Sequence, residues 1–173
     1  MAIIKSLNGF TPKIGPNCFL AETAVIIGDV EIGADCSIWY GAVLRGDVNP
    51  IRVGNCVNVQ DCAVLHTTYR SSVVEVGDNV SIGHNAIVHG AKVGNNVLIG
   101  MGAILMDHSV VPDGTIVGAG ALVPENARLE PGVYAGVPAK KIKEGSDAIA
   151  AAAHKNATGY LTYKEWFLQD PQP

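Results

Sequence analysis

The sequence predicts an all-β solenoid, a parallel β-helix of about six triangular coils over residues 10–140, with a C-terminal α-helix at 146–169 and the whole of 1–173 forming a single domain. Three observations lead there. Aliphatic residues recur at every sixth position, a small or β-branched residue stands four places after most of them, and glycine, 20 of 173 residues, often follows the aliphatic directly. Two inward positions per six residues, spaced four and two apart, match neither a helical period nor one long alternating strand. They match three short strands per coil, each pairing with the strand one coil below, with aliphatic and small residues pointing in and glycines serving the corners.

The first run of aliphatics goes from Ile14 through Leu20, Ile26, Ile32 and Ile38 to Leu44. The phase restarts at Val53, Val59 and Leu65, again at Val76, Ile82 and Val88, and runs last from Val93 through Ile99, Leu105, Val111, Val117 and Val123 to Leu129. At three per coil these nineteen hexads give about six coils, a prism about 30 Å tall at ~4.8 Å per coil. If the extra residues between runs lie in corners, Leu44, Leu65, Val88 and Leu105 share a third face, and Ile38, Val59, Ile82 and Ile99 a second. The first insertion then falls between Leu44 and Val53, the second spans roughly Thr67 to Val73, and a tightened corner sits at Gly90. Cys18 and Cys36, one coil apart at the small inward position, read as packing thiols; Cys56 and Cys62 lie outside that column and are the candidates for redox sensitivity. After Pro131 the repeat ends. Ser146 and Asp147 can cap a helix there, and the aromatic residues from Tyr160 to Leu168 can pack it back on the prism.

Composition narrows the function. A net charge of −4, a pI near 5.7 and no Lys/Arg cluster longer than Lys140-Lys141 exclude a nucleic-acid role through a basic face. The opening MAIIKSLNGF has no signal-peptide pattern, and no window reaches 18 consecutive apolar residues, so the expectation is a cytoplasmic protein without membrane contact.

The register gives the histidines their meaning. Arg45, His66 and His89 each follow a third-face aliphatic by one residue and stack in one column. His66 and His89 lie in adjacent coils, about 4.8 Å apart at the backbone, a separation that two ligands of one metal can use. His84 follows Ile82 by two, on the second face above Asp61. Side chains leaving two faces of a triangular prism diverge by about 120°, so His84 does not meet the other two within one chain. A homotrimer solves this, because a heterologous contact that closes as a ring can bring the second face of one subunit against the third face of the next. Three neutral imidazoles with an open position describe a catalytic zinc site, where the metal lowers the pKa of bound water towards about 7. His108 and His154 read as surface residues.

The runs LRGD (Leu44 to Asp47), NVQDCAVLH (Asn58 to His66) and GHNAIVH (Gly83 to His89) together resemble the γ-class carbonic anhydrases and their relatives among the hexapeptide-repeat proteins, over about Ile14 to Leu129. The resemblance implies that the β-helix is left-handed. It implies a carbonate dehydratase-like lyase that interconverts CO2 and bicarbonate at a trimer interface, with zinc, or iron or cobalt in its place. His66 and His89 would come from one subunit and His84 from its neighbour. Gln60 would orient the metal-bound nucleophile, with Asn58 nearby; Arg45 and Asp47 match the family's interface pair, and Tyr160 is the candidate for a helix tyrosine that reaches the metal pocket.

The sequence departs from the family at one place. The best-studied members of the family it resembles carry a glutamate directly after the LRGD-type aspartate and another on an acidic loop after the first histidine, where they shuttle protons. Here those places hold Val48 and TTYRSS, with Tyr69 and no carboxylate until Glu75. Two other readings stand beside the lyase. GVPAKK (Gly136 to Lys141) resembles the end of the repeat domain in acyl-CoA-dependent hexapeptide acyltransferases, and some relatives are metal-bearing trimeric scaffolds or binding proteins without turnover.

Overall fold

Strand pairing joins residues one coil apart, as the face assignment expects. In the computed structural model, which describes residues 1–169, Leu44 lies opposite Leu65, Leu65 opposite Val88, and Val88 opposite Leu105 on the third face. Ile38, Val59, Ile82 and Ile99 stack on the second. Residues 170–173, which the single-domain reading takes in, lie outside the described residues. The stacked aliphatics Ile26, Ile38, Leu44, Leu65, Ile82, Ile99 and Leu105 are fully buried, with Ala24, Cys36, Ala42, Ala63, Ala86 and Ala103 filling the space between them. Each such aliphatic side chain contributes about 1.5–3 kcal/mol by leaving water.

Three expectations need correction. Seven parallel strands stack on the second face, from Phe19–Leu20 to Gly132–Ala135, so the prism has about seven coils rather than six. The ends escaped the count because Ile3–Lys5, which pairs with Val25 to Ile27, and Gly132–Ala135 continue the ladders without hexad spacing. Lys140–Glu144 then folds back antiparallel on Gly132–Ala135, carrying β structure past residue 140. Second, the first insertion leaves the chain extended: Val43–Val53 is one continuous strand, and its register against Val25–Ile32 shifts where Gly28 faces Gly46 and Val30 faces Ile51. The second insertion is a loop, as expected, between the strands Val64–His66 and Val74–Val76.

The third correction concerns glycine. Gly41, Gly102 and Gly120 do turn corners at positive φ, as expected, but the left-handed corners of another column are held by Asn17, Asp35, Cys56, Asn79 and Asn96, with φ between 53° and 59°; short polar side chains tolerate this conformation. Most glycines that follow an aliphatic serve a different need. A Cβ built on Gly33 would lie 2.6 Å from the Gly54 carbonyl oxygen and 2.6 Å from Asn55 Oδ1, so successive coils stack too closely there for any side chain. Gly33→Ala should cost about 1–3 kcal/mol as overpacking and lower the thermal midpoint; an unchanged melting curve would show that the coils can part at that position.

The three outer faces differ. On the first, Lys13, Glu31, Arg52, Glu75 and Lys92 form a ladder of alternating charge, with Lys13–Glu31 and Lys92–Glu75 each at 2.8 Å. The second is covered by the helix Asp147–Gln169, whose first turn begins at Ser146 as expected, with the Ile149 N–H donating to Ser146 Oγ at 3.4 Å. Tyr160 and Phe167 of this helix lie 5.6 and 5.1 Å from the Trp39 ring, and the buried Lys164 ammonium donates to the Asn17 carbonyl at 2.6 Å and to Asp35 at 3.1 Å. The third face carries Ile3, Val25, Val43, Val64, Ile87, Ile104 and Leu122 in one outward column, all of them left at least partly accessible. No helix among the described residues is long and apolar enough to cross a membrane.

Candidate metal centre

His66 and His89 end two adjacent third-face strands, Val64–His66 and Ile87–His89, and pair directly across them. Their ring centroids are 5.2 Å apart, and His66 Nδ1 faces His89 Nε2 at 3.2 Å. The far nitrogen of each ring meets a carboxylate: His66 Nε2 lies 3.0 Å from Asp47 Oδ1, and His89 Nδ1 lies 2.9 Å from Asp107 Oδ2. Arg45, one coil earlier in the same column, donates to Asp47; Ser72 donates to Asp107.

The protonation states follow. Burial pushes the Asp47 carboxyl up, but hydrogen bonds from Arg45 and His66 outweigh it and hold the group below its ordinary range; Asp107 is likewise raised by burial and lowered further by Ser72 and His89. Burial lowers the His66 imidazole below its ordinary value, against the pull of Asp47, so the ring is neutral at pH 7. An ionised carboxylate only accepts, which places the imidazole N–H groups on His66 Nε2 and His89 Nδ1. When both rings are neutral, the two nitrogens that face each other, His66 Nδ1 and His89 Nε2, are both lone pairs.

Two such lone pairs at 3.2 Å repel unless a proton or a metal cation lies between them. Two nitrogens about 2.05 Å from a tetrahedral zinc are about 3.3 Å apart, close to the spacing seen, and an imidazole whose other N–H is held by a carboxylate is the usual partner arrangement of a metal-binding histidine. The donor set therefore fits a divalent cation.

His84 lies on the second face, with Nδ1 2.8 Å from Asp61 Oδ2, where the register put it. Its backbone N–H donates to Gln60 Oε1 at 3.2 Å, Gln60 Nε2 donates to Asn58 Oδ1 at 3.0 Å, and Asn58 donates to Ser81 Oγ at 2.8 Å. Gln60, Asn58 and Ser81 are all buried, so this amide chain is locked in one orientation. Beside it a groove of about 430 Å³ runs between the second face and the helix, floored by Leu98 and Ile116 and flanked by His84, Gln60 and Tyr160. Burial, and then the charge of Asp61, raise the Tyr160 phenol, which stays a proton donor.

The expected residues thus fall into two groups, Arg45, Asp47, His66 and His89 at the third-face corner, and Asn58, Gln60, His84 and Tyr160 on the second face. Among the described residues, no three His, Cys, Asp or Glu side chains within the chain are placed to hold a metal. His108 is an exposed corner residue near Ser71, and His154 bonds Asn96 from the helix. Cys36 is fully buried in the core and Cys18 partly so, as packing requires, while Cys56 and Cys62 occupy left-handed corners. Sequence reasoning missed Asp107, although its distance from His89, 18 residues or one coil, was a signal that could have found it.

A family profile described as bacterial transferase hexapeptide (six repeats) matches residues 11–46 and 73–107. The chain is 41% identical to gamma carbonic anhydrase 2, mitochondrial, of Arabidopsis thaliana over 87% of its own length and 56% of that protein's. It is 42% identical to a carbonic anhydrase of Geobacillus kaustophilus over 82% of its own length and 78% of that protein's. A solved structure described as a hexapeptide transferase family protein from Anaplasma phagocytophilum superposes with a TM-score of 0.88 at 37% identity, covering 95% of this chain and 98% of that one.

Proposed function

The chain belongs to the γ-class carbonic anhydrase-like family of hexapeptide-repeat proteins, built on a left-handed parallel β-helix, and from that premise we propose that it is a metal-dependent hydratase interconverting CO2 and bicarbonate. The observation that carries the reading is the pairing of His66 Nδ1 and His89 Nε2 at 3.2 Å, each ring backed at its other nitrogen by its own carboxylate. Zinc is the metal we assign, with iron or cobalt able to replace it; His66 and His89 of one subunit and His84 of the next would hold it. When bound, the metal supplies a water-derived nucleophile at neutral pH.

The chain's own residues do the rest. Gln60 is fixed by two hydrogen bonds and keeps one Nε2 hydrogen to orient a nucleophile beside His84. The apolar floor of the groove suits a small uncharged substrate, and Tyr160 offers a hydroxyl at its rim. The homotrimer is supported by the apolar column from Ile3 to Leu122, still partly accessible on the third face, which gains by being covered by a neighbour's second-face edge, where His84 is itself accessible.

The test is metal analysis of anaerobically purified protein alongside a CO2 hydration assay. One metal per chain with turnover supports the proposal; a loaded protein inactive under every condition favours a scaffold. An acyltransferase is the second reading, favoured by the description of the Anaplasma structure and by Gly136 to Lys141, of which Gly136 to Ala139 here form the turn between Gly132–Ala135 and Lys140–Glu144. Such an enzyme needs a histidine base rather than a metal, so acyl-CoA consumption by metal-free protein would select it.

A further inference from the structure

The two insertions that interrupt the hexad repeat meet each other. Asn49, in the first, donates through Nδ2 to the Thr68 carbonyl at 2.6 Å and the Ser72 carbonyl at 2.8 Å, both in the second. Ser72 turns its hydroxyl inward, where it accepts from the Thr68 N–H at 3.0 Å and donates to Asp107 Oδ1. Asp107 in turn accepts from His89. Gly90 makes room for this: at φ +57°, a Cβ there would lie 2.1 Å from Asp107 Oδ1 and 2.2 Å from Ser72 Oγ.

We propose that the two insertions form one positioning device, in which Asn49 and Ser72 steady Asp107 so that it holds His89 with the Nε2 lone pair turned towards His66. The inference rests on the reading of His66 and His89 as metal ligands for its purpose, but the tautomer it assigns to His89 exists without metal. Ser72 matters because a carboxylate with one oxygen pinned presents the other to His89 at a fixed angle. Without Asp107 nothing in this contact set distinguishes the two ring nitrogens, and the neutral ring can place its proton on Nε2 and donate to His66 instead. That tautomer closes the pair to a cation.

The test is 15N NMR of the His89 ring in metal-free full-length protein, with Co2+ titration as a second reading. Wild type should show Nδ1–H. Asp107→Ala should move the proton largely to Nε2 and weaken Co2+ binding by about 10- to 100-fold, the usual effect of losing such a partner. Asp107→Asn, whose Oδ1 still accepts, should keep the tautomer and most of the affinity. Ser72→Ala, a smaller change, should give a mixture of tautomers in a protein with unaltered circular dichroism. An unchanged Nδ1–H signal in both Asp107→Ala and Ser72→Ala would overturn the proposal. If the tautomer responds as expected while wild type binds no Co2+, the positioning device stands and the metal-dependent function fails.

Discussion

Subunits carrying His66→Ala, mixed in equal amounts with subunits carrying His84→Ala and reassembled, should recover about one quarter of the metal sites that either variant lacks alone. His66 sits at the third-face corner and His84 on the second face with Asp61, and they do not converge within a chain. A ring of three subunits that sets second face against third uses one contact three times. In a random mixture an interface is intact only when the subunit giving the third face still has His66 and the one giving the second face still has His84, which is about one in four by chance. A mixture of His66→Ala with His89→Ala should recover nothing, because both of those ligands come from the same subunit at every interface. Metal content by mass spectrometry of the reassembled trimer decides it. Full occupancy in any single variant would remove that histidine from the ligand set, and recovery in the His66/His89 mixture would mean the two belong to different subunits.

Much of this was legible because a β-helix turns sequence distance into height. Once 18 residues equal one coil, Leu65 under Val88 and His66 beside His89 follow from counting, and the phase restarts at Val53 and Val76 show where residues were added. The conformation of added residues is a different matter. Nothing in the spacing shows that Val43–Val53 stays extended or that Asn49 reaches Thr68 and Ser72, because those contacts depend on loop paths rather than on the repeat. Asp107 lay within reach of the same counting but belongs to a coil where the histidine column has already ended. The glycines misled for a physical reason: freedom at positive φ and tolerance of close stacking are both properties of a missing Cβ, and sequence alone does not separate them. The bare column on the third face was readable in the residue before each aliphatic, and becomes informative only against the charged and helix-covered faces beside it.

Proton export should limit turnover, and the limit should yield to an external buffer. Each carboxylate next to a candidate ligand is already engaged: Asp47 with Arg45 and His66, Asp107 with Ser72 and His89, Asp61 with His84. Asp47 and Asp107 are moreover held below their ordinary pKa range, so they stay ionised at neutral pH and are poor carriers of a proton taken up and released in each cycle. Val48, half-buried beside Asp47, and the loop from Thr67 to Ser72 supply no free carboxylate; Tyr69 is exposed and lies against Arg70, whose guanidinium carbon is 4.9 Å from its ring centroid. General acid–base assistance is worth about 10²- to 10⁴-fold in rate, and a deficit of that size makes a dilute assay read close to zero. Hydration measured by stopped flow should therefore rise with imidazole concentration at fixed pH and ionic strength. Val48→Glu should raise the rate at low buffer, flatten the dependence on imidazole and leave metal content unchanged, because it adds a proton carrier without touching a histidine. A wild-type rate already high and independent of buffer would show that the chain has an internal proton route, and Tyr69→Phe would be the variant to test for it.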